Sequence, residues 1–333
     1  MNKIKINVLI APNSMKGSLS AIEFANIVEE AFLKVSPDFA IRKVPIADGG
    51  DFTGEVLRSA FNARQVEVKV KNPLGITVLS KFAMAGERAV IEMADASGIK
   101  LLKQDELDPM VASSYGTGQL IEAAILGGCT EILLGVGGSA TVDGGSGMMQ
   151  ALGCRYFDNQ GNPLEGNGMN LEKISSIVKP EMPSPVAFKI ITDVDNLLLG
   201  PEGAAFVFAP QKGASPQQVQ QLEKGLASWC HLLEKASKKN LGDFKGAGAG
   251  GGMALPLLAW FDAEIVPGAR FILDILDFDK HVQWADVIIT GEGKLDSQTL
   301  SNKAPKAVAD IARKEGKPVI AIGGTVEPEA LAK

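Results

Sequence analysis

The first residues show the pattern of a buried strand followed by an amphipathic helix. Residues 6–11 form a short, mostly apolar run, which is typical of a strand inside a sheet. Ser20 and Glu23 have the spacing of a helix capping box. Apolar residues then recur at helical spacing, at Phe24, Ile27, Val28, Ala31 and Val35. The pattern predicts a strand, a short loop and a helix that begins near Ser20.

The same alternation of apolar runs and helical stripes continues along the chain. It predicts further strands at residues 40–46, 65–70, 131–136, 188–192, 205–208, 286–290 and 318–322. It predicts helices at residues 53–60, 120–126 and 305–314, and a long helix that starts at Ser215 and Pro216. Strands that alternate with helices indicate an α/β fold with largely parallel sheets.

A change of pattern in the middle of the chain predicts a second domain. Residues 72–75 are a turn signal, and residues 77–84 and 89–93 then read as two strands of a hairpin. The simple strand and helix alternation returns only near residue 285. We therefore predict a Rossmann-like domain of residues 1–72 plus 285–333, with residues 73–284 inserted as a second α/β domain.

Composition and charge exclude several classes of partner. The 333 residues carry a formal net charge of -6, so the chain lacks the basic surface that nucleic acids require. The longest uncharged segment, residues 246–261, is rich in glycine and alanine and is shorter than the roughly 20 apolar residues of a membrane span. Three widely separated cysteines with no CxxC pair indicate reduced thiols and a cytoplasmic protein.

Glycine-rich loops with polar side chains follow four of the predicted strands. They cover residues 13–17, 47–51, 137–147 and 291–296. Ligands of open α/β sheets bind beyond the carboxyl ends of the strands, and glycine lets backbone N–H groups approach phosphate oxygens closely. The four loops together predict a polar site for a phosphorylated ligand.

The identity of that phosphorylated ligand stays open from the pattern alone. Gly135, Gly137 and Ala140 match the spacing of a dinucleotide fingerprint, and Asp158 follows about 20 residues later, where a ribose-binding acid would stand. Against this alternative, Gly144 and Gly145 interrupt the helix that the fingerprint requires. No Walker A sequence is present in the chain.

Carboxylates and lysines are the candidates for the chemistry, because neither histidine of the chain lies in a glycine loop. Asp193 ends the predicted strand 188–192 and is the strongest candidate for proton transfer. Acids at equivalent strand ends are suited to hold Mg²⁺, and lysines in the same loops could neutralise a phosphoryl group. The acids are Asp48, Glu292 and Asp296, and the lysines are Lys16 and Lys294.

Eight motifs in this order resemble those of the type 1 glycerate kinase family across essentially the whole chain. They are APNSMKGSLS (11–20), ADGG (47–50), SYGTG (114–118), GGSATVDGG (137–145), TDVDN (192–196), APQKGA (209–214), GAGAG (246–250) and TGEGKLD (290–296). The resemblance implies two α/β domains with the active site in the cleft between them. It also implies ATP- and Mg²⁺-dependent phosphorylation of D-glycerate, usually to the 2-phosphate.

The resemblance also suggests roles for individual residues. Asp193 and Lys16 are the expected catalytic residues, with Asp193 and Glu292 as metal ligands. Expected contacts to glycerate come from Asn13, Ser14, Asp48, Gly49, Lys294 and Asp296. Expected contacts to ATP come from Gly116, Thr117, Gly137, Gly138, Ser139 and Thr141. The sequence is compatible with a homo-oligomer.

Some positions depart from the family pattern. Val142 stands where the family usually has asparagine, and Asp51 and Phe52 stand where it usually has glutamate and glycine. The chain also ends soon after Gly324, earlier than most members, so part of the terminal domain is expected to lie outside this sequence. These departures leave two alternatives open, an NAD-dependent oxidoreductase and a non-catalytic sensor of hydroxy acids or nucleotides.

Overall fold

The computed structural model describes residues 5–15, 17–50, 52–179, 181, 185–296, 299 and 303–328. The chain divides into two compact units. One, the terminal unit, comprises the described residues up to Phe61 and from Pro267 onward. The other, the central unit, comprises Asn62–Val266.

Strands and helices alternate along most of the chain, which confirms the predicted α/β class. The strands are β1 (Asn7–Pro12), β2 (Ala40–Lys43), β3 (Arg64–Lys71), β4 (Thr77–Ala85), β5 (Arg88–Glu92), β6 (Glu131–Gly135), β7 (Arg155–Phe157), β8 (Pro163–Leu164), β9 (Ser176–Val178), β10 (Ala187–Thr192), β11 (Asp262–Pro267), β12 (Val287–Leu295) and β13 (Val319–Val326). The α-helices are α1 (Ala21–Val35), α2 (Thr53–Ala60), α3 (Ala94–Ser97), α4 (Tyr115–Leu126), α5 (Ser146–Ala151), α6 (Ala204–Phe208), α7 (Pro216–Ser237), α8 (Ala254–Trp260), α9 (Gly268–Ile275), α10 (Phe278–Trp284) and α11 (Ala304–Lys314).

The terminal unit is built on a parallel sheet with the strand order β13-β12-β1-β2. Side chains of a strand alternate between the two faces of its sheet. Leu9 and Ala11 of β1 accordingly belong to one apolar cluster, which includes residues of α9, α10 and α11. Val8 and Ile10 belong to a second cluster with Phe24 and Val28 of α1. Helices therefore cover both faces, as expected for a parallel sheet.

The predicted helix starts at Ser20 and Ser215 are both confirmed. The Ser20 hydroxyl accepts a hydrogen bond from the Glu23 N–H, and the Glu23 carboxylate accepts one from the Ser20 N–H. The Ser215 hydroxyl and the Gln218 side chain form the same reciprocal pair at the start of α7. Both boxes satisfy N–H groups that the first turn of a helix leaves without partners.

The central unit contains a six-stranded sheet with the order β11-β10-β6-β5-β4-β3. β5, β6 and β10 are parallel neighbours, whereas β3, β4 and β5 pair antiparallel. The hairpin predicted at residues 77–93 is therefore confirmed. A small antiparallel sheet of β8, β7 and β9, which the sequence pattern did not predict, lies in the same unit. Tyr156 of β7 and Trp229 of α7 stack edge to face in the core.

The strand predicted at residues 205–208 is wrong, because this segment is the helix α6. Ala204 and Ala205 are fully buried, whereas Val207 is exposed on the other side of the short helix. A short apolar run does not distinguish a strand from a buried helical turn by periodicity alone. The contact with α7 decides the outcome here.

The limits of the compact units differ from the boundaries predicted at residues 72/73 and 284/285. β3 pairs with β4 over its whole length, which places it in the central sheet. Leu273 of α9 and Phe278 of α10 pack in the core of the terminal unit. The placement of an active site in a cleft stays a prediction of the sequence. Among the described helices, none combines the length and apolar character needed to cross a bilayer.

Candidate active-site residues

In the terminal unit, three polar residues come together at the carboxyl ends of neighbouring strands. Pro12, the last residue of β1, is paired in register with Gly291 of β12, so Asn13 follows β1 level with Glu292, which lies within β12. The Asn13 N–H also donates to the Gly291 carbonyl over 2.8 Å. The chain after β2 stays beside β1 through the bond from the Ile46 N–H to the Pro12 carbonyl, 3.0 Å, and delivers Asp48 to this edge.

Side-chain hydrogen bonds hold these residues in place. Asn13 Nδ2 donates to Asp48 Oδ2 over 2.9 Å, and the Gly50 N–H donates to Asp48 Oδ1 over 3.3 Å. Backbone packing below Asp48 requires glycine at position 268, because a Cβ there would lie 1.8 Å from the Asp48 carbonyl oxygen. Asp48 is therefore fixed by its neighbours in both side chain and backbone.

Glu292 is the second buried acid of this group. Its Oε1 accepts a hydrogen bond of 2.5 Å from the Thr299 hydroxyl. Thr299 also exchanges hydrogen bonds with Asp296, of 3.1 Å and 3.2 Å. We call Asn13, Asp48, Glu292 and Thr299 the acidic cluster; each of them is buried.

Burial shifts the ionisation of both acids. Desolvation raises the pKa of Asp48, opposed by the Gly50 N–H, the positive charge of Lys303 and the Asn13 amide. Desolvation also raises the pKa of Glu292, and the negative charges of Asp48 and Asp296 add to the shift. The two carboxyl groups repel each other when both are ionised, and a bound cation would relieve this repulsion. Their oxygens are also suited to hydrogen bonds with hydroxyl groups of a substrate.

The remaining predicted residues of the terminal unit lie around this cluster. The Ser14 N–H donates to Asn13 Oδ1, and the Gly49 N–H donates to the Thr53 hydroxyl. Lys294 is about half exposed and pairs with Asp296 at 3.4 Å and with Glu327 at 2.7 Å. Its charge is therefore shared between two carboxylates. Lys16 lies outside the described residues.

In the central unit, the segment from Gly135 to Gly147, called here the glycine turn, follows β6. Register pairs Gly135 with Glu92 of β5 and with Ile191 of β10, so the loops after all three strands share one edge. The Ile99 N–H donates to the Gly138 carbonyl, and the Ala140 N–H donates to the Ser97 carbonyl. The glycine turn is thereby tied to the loop after β5.

Asp143 organises the glycine turn from inside the protein. This fully buried carboxylate accepts hydrogen bonds from the Ser114 hydroxyl at 2.7 Å and from the Ser114 N–H at 2.7 Å. The N–H groups of Gly145 and Gly147 donate to it as well. Desolvation raises the pKa of Asp143, and these donors oppose that rise. The acid inside the glycine-rich stretch therefore acts as a structural anchor.

Lys212 is a polar residue of this site that the sequence analysis did not assign. Its Nζ donates to Ser139 Oγ at 2.6 Å and to the Thr141 carbonyl oxygen at 2.7 Å. Desolvation lowers the pKa of Lys212 to about 7, opposed by the negative charge of Asp143. The sequence contains Lys212 within the APQKGA motif, which could have marked it as functional. No sequence pattern, however, connects it to a turn 71 residues earlier.

Gly116 and Thr117 occupy the first turn of α4 in the interior. A Cβ on Gly116 would lie 1.9 Å from the Lys71 carbonyl oxygen, so close packing requires glycine. The Thr117 hydroxyl shares a hydrogen bond of 2.7 Å with Ser97 Oγ. Packing accounts for both residue types, and their predicted contact with ATP stays a prediction.

Asp193 directly follows β10 and is half-buried. Thr192 contacts the tract of residues 246–252, because a Cβ on Gly246 would lie 3.1 Å from Thr192 Cγ2. The tract also packs against the glycine turn, where the Gly144 N–H donates to the Gly251 carbonyl. The structure thus places Thr192, the residue before Asp193, beside the 246–252 tract, and that tract against the glycine turn.

The described residues contain no group of three or more His, Cys, Asp or Glu side chains placed to hold a metal ion. Mg²⁺ at phosphoryl-transfer sites binds one or two protein carboxylates, and phosphate and water complete its shell. Single acids such as Asp193 and Glu292 have the right donor chemistry for that mode of binding.

Comparison with known proteins identifies the family. The model of the glycerate kinase family matches residues 8–332. The chain belongs to the glycerate kinase family. It is 42% identical over 330 residues to a glycerate kinase of Bacillus subtilis, covering 98% of this chain and 86% of the relative. It is 39% identical over 327 residues to the glycerate 2-kinase of Escherichia coli, covering 96% and 86%.

A solved structure supports the same glycerate kinase assignment. The crystal structure of putative glycerate kinase 2 from Salmonella typhimurium LT2 superposes on this chain with a TM-score of 0.86 and 40% sequence identity. The match covers 97% of this chain and 90% of that one. The two-domain α/β class is therefore the fold of this family member.

The structure explains both the Val142 departure and the acid of the dinucleotide alternative. Val142, where the family usually has asparagine, is fully buried in the core of the central unit. Asp158, the acid of the dinucleotide alternative, holds its own turn by accepting bonds from the Asn162 and Gln160 N–H groups. Helix α5, at the end of the glycine turn, begins only at Ser146, after the fingerprint positions Gly135, Gly137 and Ala140. This geometry lacks the helix start inside the motif that a dinucleotide fingerprint needs.

Proposed function

We propose that this chain is a type 1 glycerate kinase that transfers the γ-phosphoryl group of ATP to D-glycerate. The observation that carries the proposal is the family match over residues 8–332, with relatives of about 40% identity that bear this name. The name of the Escherichia coli relative, glycerate 2-kinase, supports the 2-hydroxyl as the acceptor. The products would be 2-phosphoglycerate and ADP.

The acidic cluster of the terminal unit is proposed to bind glycerate. Asn13 and Asp48 offer an amide and a carboxyl group whose mutual hydrogen bond fixes their orientation. Such a pair suits the hydroxyl groups of a small polyol acid. Ser14, Gly49, Lys294 and Asp296 are the further proposed contacts, and Lys294 or Lys16 would meet the glycerate carboxylate as a point charge.

The glycine turn of the central unit is proposed to bind ATP through its phosphates. Gly138 has a φ of 68°, a left-handed backbone that glycine adopts without strain. Backbone N–H groups of Gly137, Gly138 and Ser139 would donate to phosphate oxygens. The hydroxyl of Thr141 and the Gly116 and Thr117 segment are the further proposed contacts.

Asp193 is the proposed base. Its carboxylate would accept the proton of the attacking glycerate hydroxyl as the new O–P bond forms and the bond from the γ-phosphorus to the β,γ-bridging oxygen breaks. Phosphoryl transfer depends mainly on positioning and charge neutralisation, so the protein's task is to hold the two substrates and exclude water. Mg²⁺ would neutralise phosphate charge, with Asp193 and Glu292 as its proposed ligands. The three free, buried cysteines support a reducing, cytoplasmic location.

Phosphorus NMR tests this proposal directly. The protein is mixed with ATP, Mg²⁺ and D-glycerate, and the product resonance is compared with authentic 2- and 3-phosphoglycerate. We expect 2-phosphoglycerate together with ADP. An unchanged ATP spectrum would reject the kinase, and reduction of NAD by D-glycerate in a parallel sample would establish the oxidoreductase instead. Nucleotide and glycerate binding without turnover would establish the sensor.

A further inference from the structure

Lys212 approaches the glycine turn from the protein interior. The exposed fraction of Lys212 is 2%, whereas that of Ser139 is 7%. Lys212 is the less exposed of the two, so a ligand on the turn is expected to contact Ser139 rather than Lys212. The position of Lys212 suits a residue that acts through Ser139.

The bond between Lys212 and Ser139 has a defined polarity. A charged ammonium group has three donors and no acceptor, whereas a hydroxyl has one donor and two lone pairs. Lys212 Nζ must therefore donate in the 2.6 Å contact, and Ser139 Oγ must accept. The hydroxyl proton of Ser139 then points away from Lys212, and no described residue accepts it. Lys212 thus leaves the Ser139 hydroxyl able to donate to a partner other than the described residues.

Other unused donors lie in the same turn. The Thr141 hydroxyl is buried and has no hydrogen-bond partner among the described residues. Among the described residues, no acceptor takes a hydrogen bond from the N–H of Gly137 or of Gly138. A buried donor without an acceptor, such as the Thr141 hydroxyl, is costly and is normally satisfied by a ligand or by water. Gly137 is half-buried and Gly138 is exposed, so their N–H groups are accessible to a ligand from solvent. A cluster of donors with a buried cation behind it is suited to an oxyanion.

We propose that Lys212 is a positioning residue for substrate binding, which orients the Ser139 hydroxyl as a donor to a substrate oxyanion on the glycine turn. The inference rests on the proposed function, which places the phosphates of ATP at this turn. A phosphoryl oxygen of ATP is therefore the expected acceptor. A carboxylate oxygen of glycerate has the same chemistry, and the experiment distinguishes the two sources.

The ionisation of Lys212 gives the arrangement a pH dependence. Burial lowers the pKa of Lys212 to about 7, and Asp143 is the charged group whose field opposes this shift. A neutral amine carries a lone pair and can accept the Ser139 hydroxyl proton. Loss of the proton from Lys212 therefore withdraws the donor from the substrate. Substrate binding should weaken as the pH rises through the pKa of Lys212.

The experiment is a double-mutant cycle with Lys212→Met, Ser139→Ala and the double variant, measured by steady-state kinetics. Each single variant should raise the KM for ATP about tenfold, the loss of one well-placed hydrogen bond of about 1.4 kcal/mol. The double variant should be no worse than the worse single variant, because Lys212 acts through Ser139. Lys239→Met is the matched control, since Lys239 donates to the Leu258 carbonyl elsewhere in the same unit. It should leave both KM values unchanged.

A pH profile separates positioning from a merely structural role. The KM of the wild type for ATP should rise above about pH 7. Lys212→Arg, which keeps its charge over the whole range, should remove that rise. A rise in the KM for glycerate alone would identify a glycerate carboxylate as the oxyanion. Two results would overturn the inference. One is a KM for ATP in the double variant that equals the product of the two single effects. The other is a pH profile of KM that is the same in the wild type and in Ser139→Ala.

Failure of the proposed function would look different. If the wild type makes no phosphoglycerate, calorimetric titration with inorganic tripolyphosphate and with D-glycerate tests the oxyanion site without turnover. Weaker binding of either compound to Ser139→Ala than to the wild type would uphold the site, and equal binding of both would reject it. Ser139→Ala and Lys212→Arg keep the test informative if Lys212→Met does not fold.

Discussion

Asn13 and Asp48 are joined by a hydrogen bond of 2.9 Å from Nδ2 to Oδ2, although 35 residues separate them in the chain. The bond exists because β1 and β2 are parallel neighbours, so the segments after them leave the sheet at the same edge. Asp48 is buried, which raises its pKa, and the hydrogen bond from the Asn13 amide opposes that rise. One contact thus links strand order, the ionisation of an acid and the geometry of the candidate glycerate site.

Replacement of Asp193 by asparagine should abolish most of the turnover. If Asp193 accepts the hydroxyl proton, kcat at saturating substrates should fall by about 10² to 10⁴, the usual contribution of a general base. Asp195→Asn is the control, because Asp195 is exposed and lies two residues further along the same segment. Near-normal kcat in Asp193→Asn, or an equal loss in Asp195→Asn, would show that Asp193 does not have this role.

The raised pKa of Asp48 predicts how stability depends on pH. A carboxyl whose pKa is higher in the folded state binds its proton more tightly there, so ionisation favours unfolding as the pH rises through that pKa. Asp48→Asn removes this destabilising effect of ionisation. The free energy of unfolding of the variant relative to the wild type should therefore increase from about pH 4 towards neutrality. Each tenfold difference in proton affinity is worth about 1.4 kcal/mol.

Asp158 provides a control of opposite sign for the Asp48 experiment. Hydrogen bonds from the Asn162 side chain and backbone lower the pKa of Asp158. Its ionisation therefore favours the folded state, and this contribution is lost as the pH falls through the lowered pKa. Asp158→Asn should lose stability relative to the wild type as the pH rises from acid to neutral. Urea unfolding over this pH range checks both variants, and parallel trends in the two would contradict the assignments.

Phe52 should be replaceable by glycine with a gain in stability. Phe52 has a φ of 68°, in the left-handed region that costs a residue with a Cβ about 1–2 kcal/mol. Glycine avoids this cost but loses about 0.5–1 kcal/mol of chain entropy on folding, so a net gain of up to about 1.5 kcal/mol is expected. The family resemblance, with glycine usual at this position, points the same way. The measurement is the midpoint of thermal unfolding.

Asn62→Gly is the matched control for Phe52→Gly. Asn62 also has a positive φ, of 47°, but asparagine enters the left-handed region far more readily than a bulky aromatic residue. Its replacement should change the midpoint less. A clear loss of stability in Phe52→Gly would instead mean that contacts of the ring outweigh the backbone strain.

Gly116→Ala should destabilise the central unit strongly. The new Cβ would lie 1.9 Å from the Lys71 carbonyl oxygen and 3.2 Å from Ala96 Cβ, so it meets backbone that cannot move as a flexible side chain could. A loss of about 3 kcal/mol or more is expected, beyond the gain of about 1 kcal/mol in helix propensity. Gly242→Ala is the control, since the nearest atom to its Cβ would be 4.0 Å away. Thermal unfolding of both variants checks the difference, and similar midpoints would show that α4 can shift away from β3.

The sequence predicted most of the elements because each carries its own local signal. The capping box at Ser20 and the serine and proline at the start of α7 fix helix starts through atoms only a few residues apart. Residues 205–208 carried no such signal, because a run of four apolar residues suits a strand or a buried helical turn equally well. In the folded protein, packing against α7 stabilises this segment as a helix.

The candidate site divides in the same way between local and long-range information. The sequence by itself determined the fold class, the glycine loops at strand ends and the acids beside them, since all of these are set by neighbours along the chain. Only the tertiary structure decided that Asp143 anchors its turn from inside, that Gly116 serves packing and that Lys212 reaches Ser139. These contacts join residues 29 to 73 positions apart, and burial and hydrogen bonding between such distant segments depend on strand order and register. No local pattern encodes that order, because it is set by the free energy of the whole packed unit.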